Sequence, residues 1–178
     1  MKKNFGNAGL WSAIMNFIHG SNKKLPAGNT KNVYAPVSGN VMPITQSADP
    51  AHQQEIVGKG VCFMPVDNKI VAPFNGVVDM IFETKHAVAV KSDDGIELLI
   101  HCGIDTVKLG GKGFLTYVKD GDKVKKNQLI LEYDRNTIEN AGYSVETQVV
   151  VTNVSDYKSI TQVADGSVAA GDLILTIR

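Results

Sequence analysis

Downstream of Val33 the apolar residues fall in short runs punctuated by glycine, proline, asparagine and aspartate, a texture that predicts many brief strands joined by tight turns. The strongest such signal is Phe82-Glu83-Thr84-Lys85-His86-Ala87-Val88-Ala89-Val90-Lys91, the turn Ser92-Asp93-Asp94-Gly95, and Ile96-Glu97-Leu98-Leu99-Ile100-His101-Cys102-Gly103, two apolar strands around an Asp-Gly turn. With Asp93-Asp94 as the loop, His86 faces His101. With Asp94-Gly95 as the loop, His101 faces Val88 and lies diagonal to His86. A three-residue loop breaks this pairing unless it carries a bulge. In the two-residue registers both imidazoles share one face, roughly 4.5–5.5 Å apart at Cβ if opposed and about 7–8 Å if diagonal. Strict alternation puts Thr84, Val88, Val90, Glu97 and Leu99 on that face and Ala87, Ala89, Ile96, Leu98, Ile100 and Cys102 on the other. Both faces are largely apolar, as in a buried sandwich strand. Two imidazoles in such a wall are either a buried hydrogen-bonded pair or a site.

Before Val33 the pattern differs. Leu10, Trp11, Ile14, Met15 and Ile18 recur at helical spacing, flanked by Lys2, Lys3, Lys23 and Lys24. Such a helix either rests weakly on an anionic membrane through residues 10–18, packs on the domain, or stays unstructured. Gly20 to Asn32 reads as a tether. The expected organisation is therefore an amphipathic segment over 1–20, a linker over 21–32, and one domain over 33–178.

Within that domain two repeats appear. Ala35-Pro36-Val37-Ser38-Gly39-Asn40-Val41 returns as Ala72-Pro73-Phe74-Asn75-Gly76-Val77-Val78, and Val118 to Leu131 returns, one residue shorter, as Val163 to Leu175. Two copies are too few for a solenoid and predict an all-β, pseudo-symmetric antiparallel sandwich or flattened barrel. Helical turns are expected at 136–141, entered by Asp134, and at 156–162, capped by Ser155.

The 178 residues suffice for one domain with a real core, and 18 basic residues balance 18 acidic ones, so nothing points to nucleic acid. Cys62 and Cys102 sit in apolar runs without metal-ligand spacing and read as reduced core thiols of a cytoplasmic protein. Neither a membrane span nor a secretion signal is apparent. His52, in a polar loop after Asp49-Pro50-Ala51, reads as exposed and idle.

The glycine turns alone are similar to those of biotinyl and lipoyl carriers, but the modifiable Met-Lys-Met or Asp-Lys-Ala is absent. Gly95-Ile96-Glu97-Leu98-Leu99-Ile100-His101-Cys102-Gly103-Ile104-Asp105-Thr106-Val107 closely resembles the signature of the glucose-type enzyme IIA of the bacterial phosphoenolpyruvate-dependent sugar phosphotransferase system. Ile81-Phe82-Glu83-Thr84-Lys85-His86-Ala87 resembles the segment carrying that family's second active-site histidine. Ala35 to Gly39, Lys69 to Pro73 and Gly111 to Phe114 match too. Cys102 departs from the usual large apolar residue there, and at the site rim His52 falls where some relatives carry an aromatic.

The resemblance implies a phosphocarrier. His101 would be phosphorylated at Nε2 with His86 as its neighbour, and Thr84 would hydrogen-bond His86 or the phosphate. Backbone at Gly103 would hold the other nitrogen of His101. Asp105 would either oppose the phosphate or pair with an arginine of a docking protein. An apolar docking rim is expected from Phe82, Val88, Val90 and Leu99. Phosphate would come from the histidine-containing carrier HPr and leave for a cysteine of a sugar-specific IIB domain beside its IIC permease. Regulated permeases, glycerol kinase and adenylate cyclase are further partners that some family members serve. No cofactor is required, although His86 and His101 offer half of a zinc site that a partner could complete. The rival readings are a zinc-dependent hydrolase using His86 and His101 as ligands, and a binding module without turnover.

Overall fold

A computed structural model describes residues 30–178. The stripe at residues 10–18 and nearly all of the tether lie outside the described residues. Strand structure begins at β1 (Lys31–Tyr34), two residues before the expected boundary, because Lys31 and Asn32 pair with the last strand.

The remaining strands are β2 (Gly39–Pro43), β3 (Lys59–Pro65), β4 (Lys69–Val71), β5 (Gly76–Ile81), β6 (Ala87–Ser92) and β7 (Glu97–Cys102). They continue as β8 (Phe114–Thr116), β9 (Lys123–Val124), β10 (Leu129–Tyr133), β11 (Thr147–Val151), β12 (Ile160–Gln162), β13 (Gly166–Val168) and β14 (Leu173–Ile177). All pairings are antiparallel. The long sheet runs β13-β2-β3-β11-β7-β6-β5-β9, flanked by β1-β14-β12 and β4-β10-β8.

This order explains the repeats. From the centre of the long sheet outward, β11, β3, β2 and β13 on one side answer β7, β6, β5 and β9 on the other. The first repeat supplies β2 and β5, and the second supplies β13 with β14 and β9 with β10. Gly39 and Gly76 open equivalent strands where backbones crowd: a Cβ would lie 2.4 Å from the Met64 carbonyl oxygen and 2.0 Å from that of Lys91. The core between the sheets takes Val41, Phe63, Leu98, Ile100, Cys102, Ile130 and Ile174, all buried.

Two short helices connect strands. α1 (Pro50–Gln53) is capped by Asp49, whose carboxylate accepts from the Ala51 and His52 amides. α2 (Arg135–Asn140) is capped by Asp134, as the sequence suggests. The helix expected at 156–162 is absent: a 3-10 turn spans Val154–Asp156, and Ile160–Gln162 forms β12 against β14. A short isolated helix costs more to nucleate than it returns, whereas a strand beside β14 satisfies backbone groups on both chains.

Candidate functional site

On β7, His101 stands between Ala87 of β6 and Gln148 of β11. The hairpin takes neither two-residue register. Ser92 N–H donates to the Ile96 carbonyl and Gly95 N–H to that of Ser92, so Asp93, Asp94 and Gly95 form a three-residue loop with Gly95 at φ 94°. The pairing then shifts by one residue, and alternation on β6 inverts. Ala87 and Ala89 join Leu99 on the His101 side. Val88 and Val90 point into the main core, 1% and 0% exposed, and are not a docking rim.

His86 nevertheless reaches His101, because it is a turn residue. Phe82 N–H donates to the Ala87 carbonyl and Lys85 N–H to that of Phe82, with Lys85 left-handed at φ 57°. The turn frees His86 from strand alternation, and its ring meets that of His101 edge-on at 4.8 Å between centroids. Thr84 Oγ1 lies 2.6 Å from His86 Nδ1. A threonine hydroxyl donating there leaves the proton on Nε2, and His86 Nε2 is buried with no partner. With that tautomer it is a buried donor beside the His101 ring with nothing to donate to.

His101 Nδ1 lies 3.1 Å from Gln148 Oε1. The partner expected at Gly103 is therefore a side chain on β11, while Gly103 N–H donates to the Glu146 carbonyl. His52 is buried, not exposed: α1 lays its ring 5.3 Å from that of His101, with Nδ1 3.4 Å from the Asp49 carboxylate. Asp49 before Pro50 is a helix-start signal; the resemblance sets His52 at the site rim, and only the packing of α1 shows that the ring is buried against His101. Asp105 is left-handed at φ 60° and pairs with Lys108 at 2.9 Å. Phe82 and Leu99 are buried beneath the histidines, and the part-exposed apolar groups against this cluster are Met42, Ala51 and Met80. A hollow of about 510 Å³ lined by Asn68, Phe114 and Glu132 touches none of the histidines.

Burial holds the His101 pKa well below its ordinary value of 6.5, with His86 and His52 adding to the effect. Burial pushes His86 down to about 4. Burial would raise Asp49, but His52 and the Ala51 amide hold it at about 2. Both site imidazoles are thus neutral at neutral pH, which a nucleophile and a neutral donor require.

Acid should expose this arrangement. Between pH 6.5 and about 4 the unfolded chain protonates a His86 that the folded chain keeps neutral. Stability is then full above pH 6.5 and falls as pH drops, by about 3 kcal/mol from this residue. Urea unfolding at pH 7 and pH 4.5 measures it, and an equally stable protein at both would contradict a buried neutral pair.

A family model for the phosphoenolpyruvate-dependent sugar phosphotransferase system, EIIA 1, matches residues 31–157. The chain belongs to this family. It is 41% identical over 143 residues to the glucose-specific EIIA component of Buchnera aphidicola, covering 80% of this chain and 88% of that protein. It is 45% identical over 147 residues to the glucose-specific EIICBA component of Staphylococcus saprophyticus, covering 82% of this chain but 21% of that longer protein. Among solved structures, the glucose permease IIA from Mycoplasma capricolum matches with a TM-score of 0.78 at 28% identity, over 84% of this chain and 96% of that one. Membership in the EIIA family replaces the zinc-hydrolase reading. Among the described residues no group of three or more His, Cys, Asp and Glu is arranged to hold a metal ion, and no helix is long and apolar enough to cross a membrane.

Proposed function

We propose that the chain is a cytoplasmic phosphocarrier of sugar uptake, with His101 Nε2 as the atom that accepts and releases the phosphoryl group. The observation that carries this reading is the pair of buried rings in contact, one with Nδ1 bonded to an amide oxygen and the other with an unpartnered Nε2. The Nε2 lone pair forms the new P–N bond as the P–N bond to the donor's histidine breaks, and the donor nitrogen keeps the released pair. Charge spreads over the equatorial oxygens in such a transfer, so positioned donors do most of the work. His86 Nε2–H is that donor, and Thr84 fixes its direction.

The donor is phospho-HPr and the acceptor a cysteine of a IIB domain. Relatives in which EIIA is joined to EIIB and EIIC, including the beta-glucoside-specific EIIBCA component of Dickeya chrysanthemi, support a permease of that kind as partner. Glucose is the favoured sugar, from the glucose-specific relatives. Partners dock over Met42, Ala51 and Met80, with Ile56 exposed nearby. His86 and His101 supply two of a zinc ion's four ligands, and a partner carboxylate can complete the set. Equilibrium dialysis with and without the partner tests this. Weak membrane contact through residues 10–18 belongs to the same proposal, and co-sedimentation with anionic vesicles tests it.

The deciding experiment is transfer of labelled phosphate from phosphoenolpyruvate through purified enzyme I and HPr. One acid-labile, base-stable phosphate per chain is expected at His101. Absence of label on the folded chain refutes the reading.

A further inference from the structure

Behind His101, a buried carboxylate sits where apolar packing would do. Glu146 is 4% exposed, and no ion pair among the described residues includes it. Its hydrogen-bond partners all donate to it: Ser47 Oγ, the Ala48 amide at 3.2 Å from each oxygen, and Gln148 Nε2 at 3.0 Å. Gln148, itself fully buried, spans the gap from this carboxylate to the imidazole, with its Oε1 3.1 Å from His101 Nδ1.

An amide has one accepting end and one donating end. Turning Gln148 over would face its oxygen to the Glu146 carboxylate, two acceptors at 3.0 Å, and would aim its NH2 at His101 Nδ1. Glu146 forbids that orientation. The oxygen must then face the imidazole, Nδ1 must carry the proton, and the lone pair must stand on Nε2. In the reverse orientation Nδ1 becomes the acceptor and Nε2 carries the hydrogen, which blocks attack at that atom.

We infer that Glu146 and Gln148 are positioning residues for the nucleophile: Glu146 orients the Gln148 amide, and the amide selects the Nδ1–H tautomer of His101. Ser47 and Ala48 join the same carboxylate, so the relay also ties the segment leading into Asp49 and His52 to β11. The relay spans three parts of the chain, and neither Glu146 nor Gln148 is itself the phosphate acceptor. Its effect on phosphate uptake rests on the phosphocarrier reading; its effect on the tautomer does not.

The test is long-range proton–nitrogen correlation of the full chain with labelled histidine at neutral pH, beside the initial rate of uptake from phospho-HPr. His101 should be the Nδ1–H tautomer. In Glu146→Leu the amide loses its shorter guide at 3.0 Å and keeps only the weaker contact of its Nε2 with the residue 146 backbone carbonyl at 3.4 Å, so the Nε2–H form should appear beside Nδ1–H and uptake should slow by up to about tenfold, one hydrogen bond's worth of tautomer preference. Glu146→Gln keeps an oxygen for Gln148 and should recover Nδ1–H with most of the lost rate. A wild-type His101 protonated on Nε2, or Glu146→Leu with His101 still wholly Nδ1–H, overturns the relay. Should Glu146→Leu fail to fold, the wild-type spectrum and Glu146→Gln decide alone. Wild-type chain that shows Nδ1–H yet takes no phosphate refutes the phosphocarrier reading and leaves the relay standing.

Discussion

His101→Ala should take up no phosphate from phospho-HPr, while His86→Gln should still take it up and fail to pass it on. The two rings touch, so the asymmetry cannot come from location. It comes from what each nitrogen can do. His101 has its Nδ1 committed to Gln148, which leaves the lone pair on Nε2. Loss of the covalent acceptor removes the reaction, and the expected fall exceeds about 1,000-fold. His86, with Nδ1 beside Thr84, offers a hydrogen bond to charge that develops on the transferring group. A glutamine amide reaches part of that role but cannot match the ring's fixed direction, so onward transfer to a IIB cysteine should slow about 100-fold. Rapid-quench measurement of both half-reactions separates the roles. Equal losses in uptake and transfer for His86→Gln would mean that His86 only packs the site.

The second large effect is structural. Gly60→Ala should destabilise the fold by about 3 kcal/mol and lower the melting temperature by about 10 °C. Gly60 lies on β3 opposite Val150 of β11, and an added Cβ would stand 2.0 Å from the Val149 carbonyl oxygen. That oxygen is backbone in the middle of the long sheet, so relief requires β3 and β11 to part. The next residue pair on these strands, Val61 with Val149, leads to Cys62 with Gln148, and so the strain falls on the support of His101. Gly121→Ala provides the contrast. It has φ 85° but nothing within 4 Å of an added Cβ, so only left-handed backbone preference is lost, about 1 kcal/mol. Differential scanning calorimetry of the two variants ranks them. Equal melting points would show that the sheet absorbs the contact at Gly60.

Much of the architecture is carried locally, which is why the sequence alone determines it. Short alternating and apolar runs with glycine turns make strands in any context that buries them, and the paired repeats encode the two equivalent halves of the long sheet. The Asp134 cap of α2 is a contact within one turn of chain and is equally legible. So is the pairing of β6 with β7, since the Asp-Gly turn joins neighbours.

What the sequence leaves open depends on one residue of register or on partners far along the chain. A three-residue loop in place of two reversed the faces of Val88 and Val90, although the two histidines still met, because a left-handed Lys85 released His86 from the strand. From its polar loop His52 reads as exposed, and only the family resemblance sets it at the site rim; packing of α1 buries it in ring contact with His101, 49 positions later in the sequence. Gln148 lies in an apolar strand and Glu146 stands two residues earlier, just ahead of it, a spacing that puts the two on one side of the chain. Only the pairing of β11 with β7 determines that the face is the one holding His101, since strand pairing between distant segments is chosen by the whole packed sheet and not by either strand.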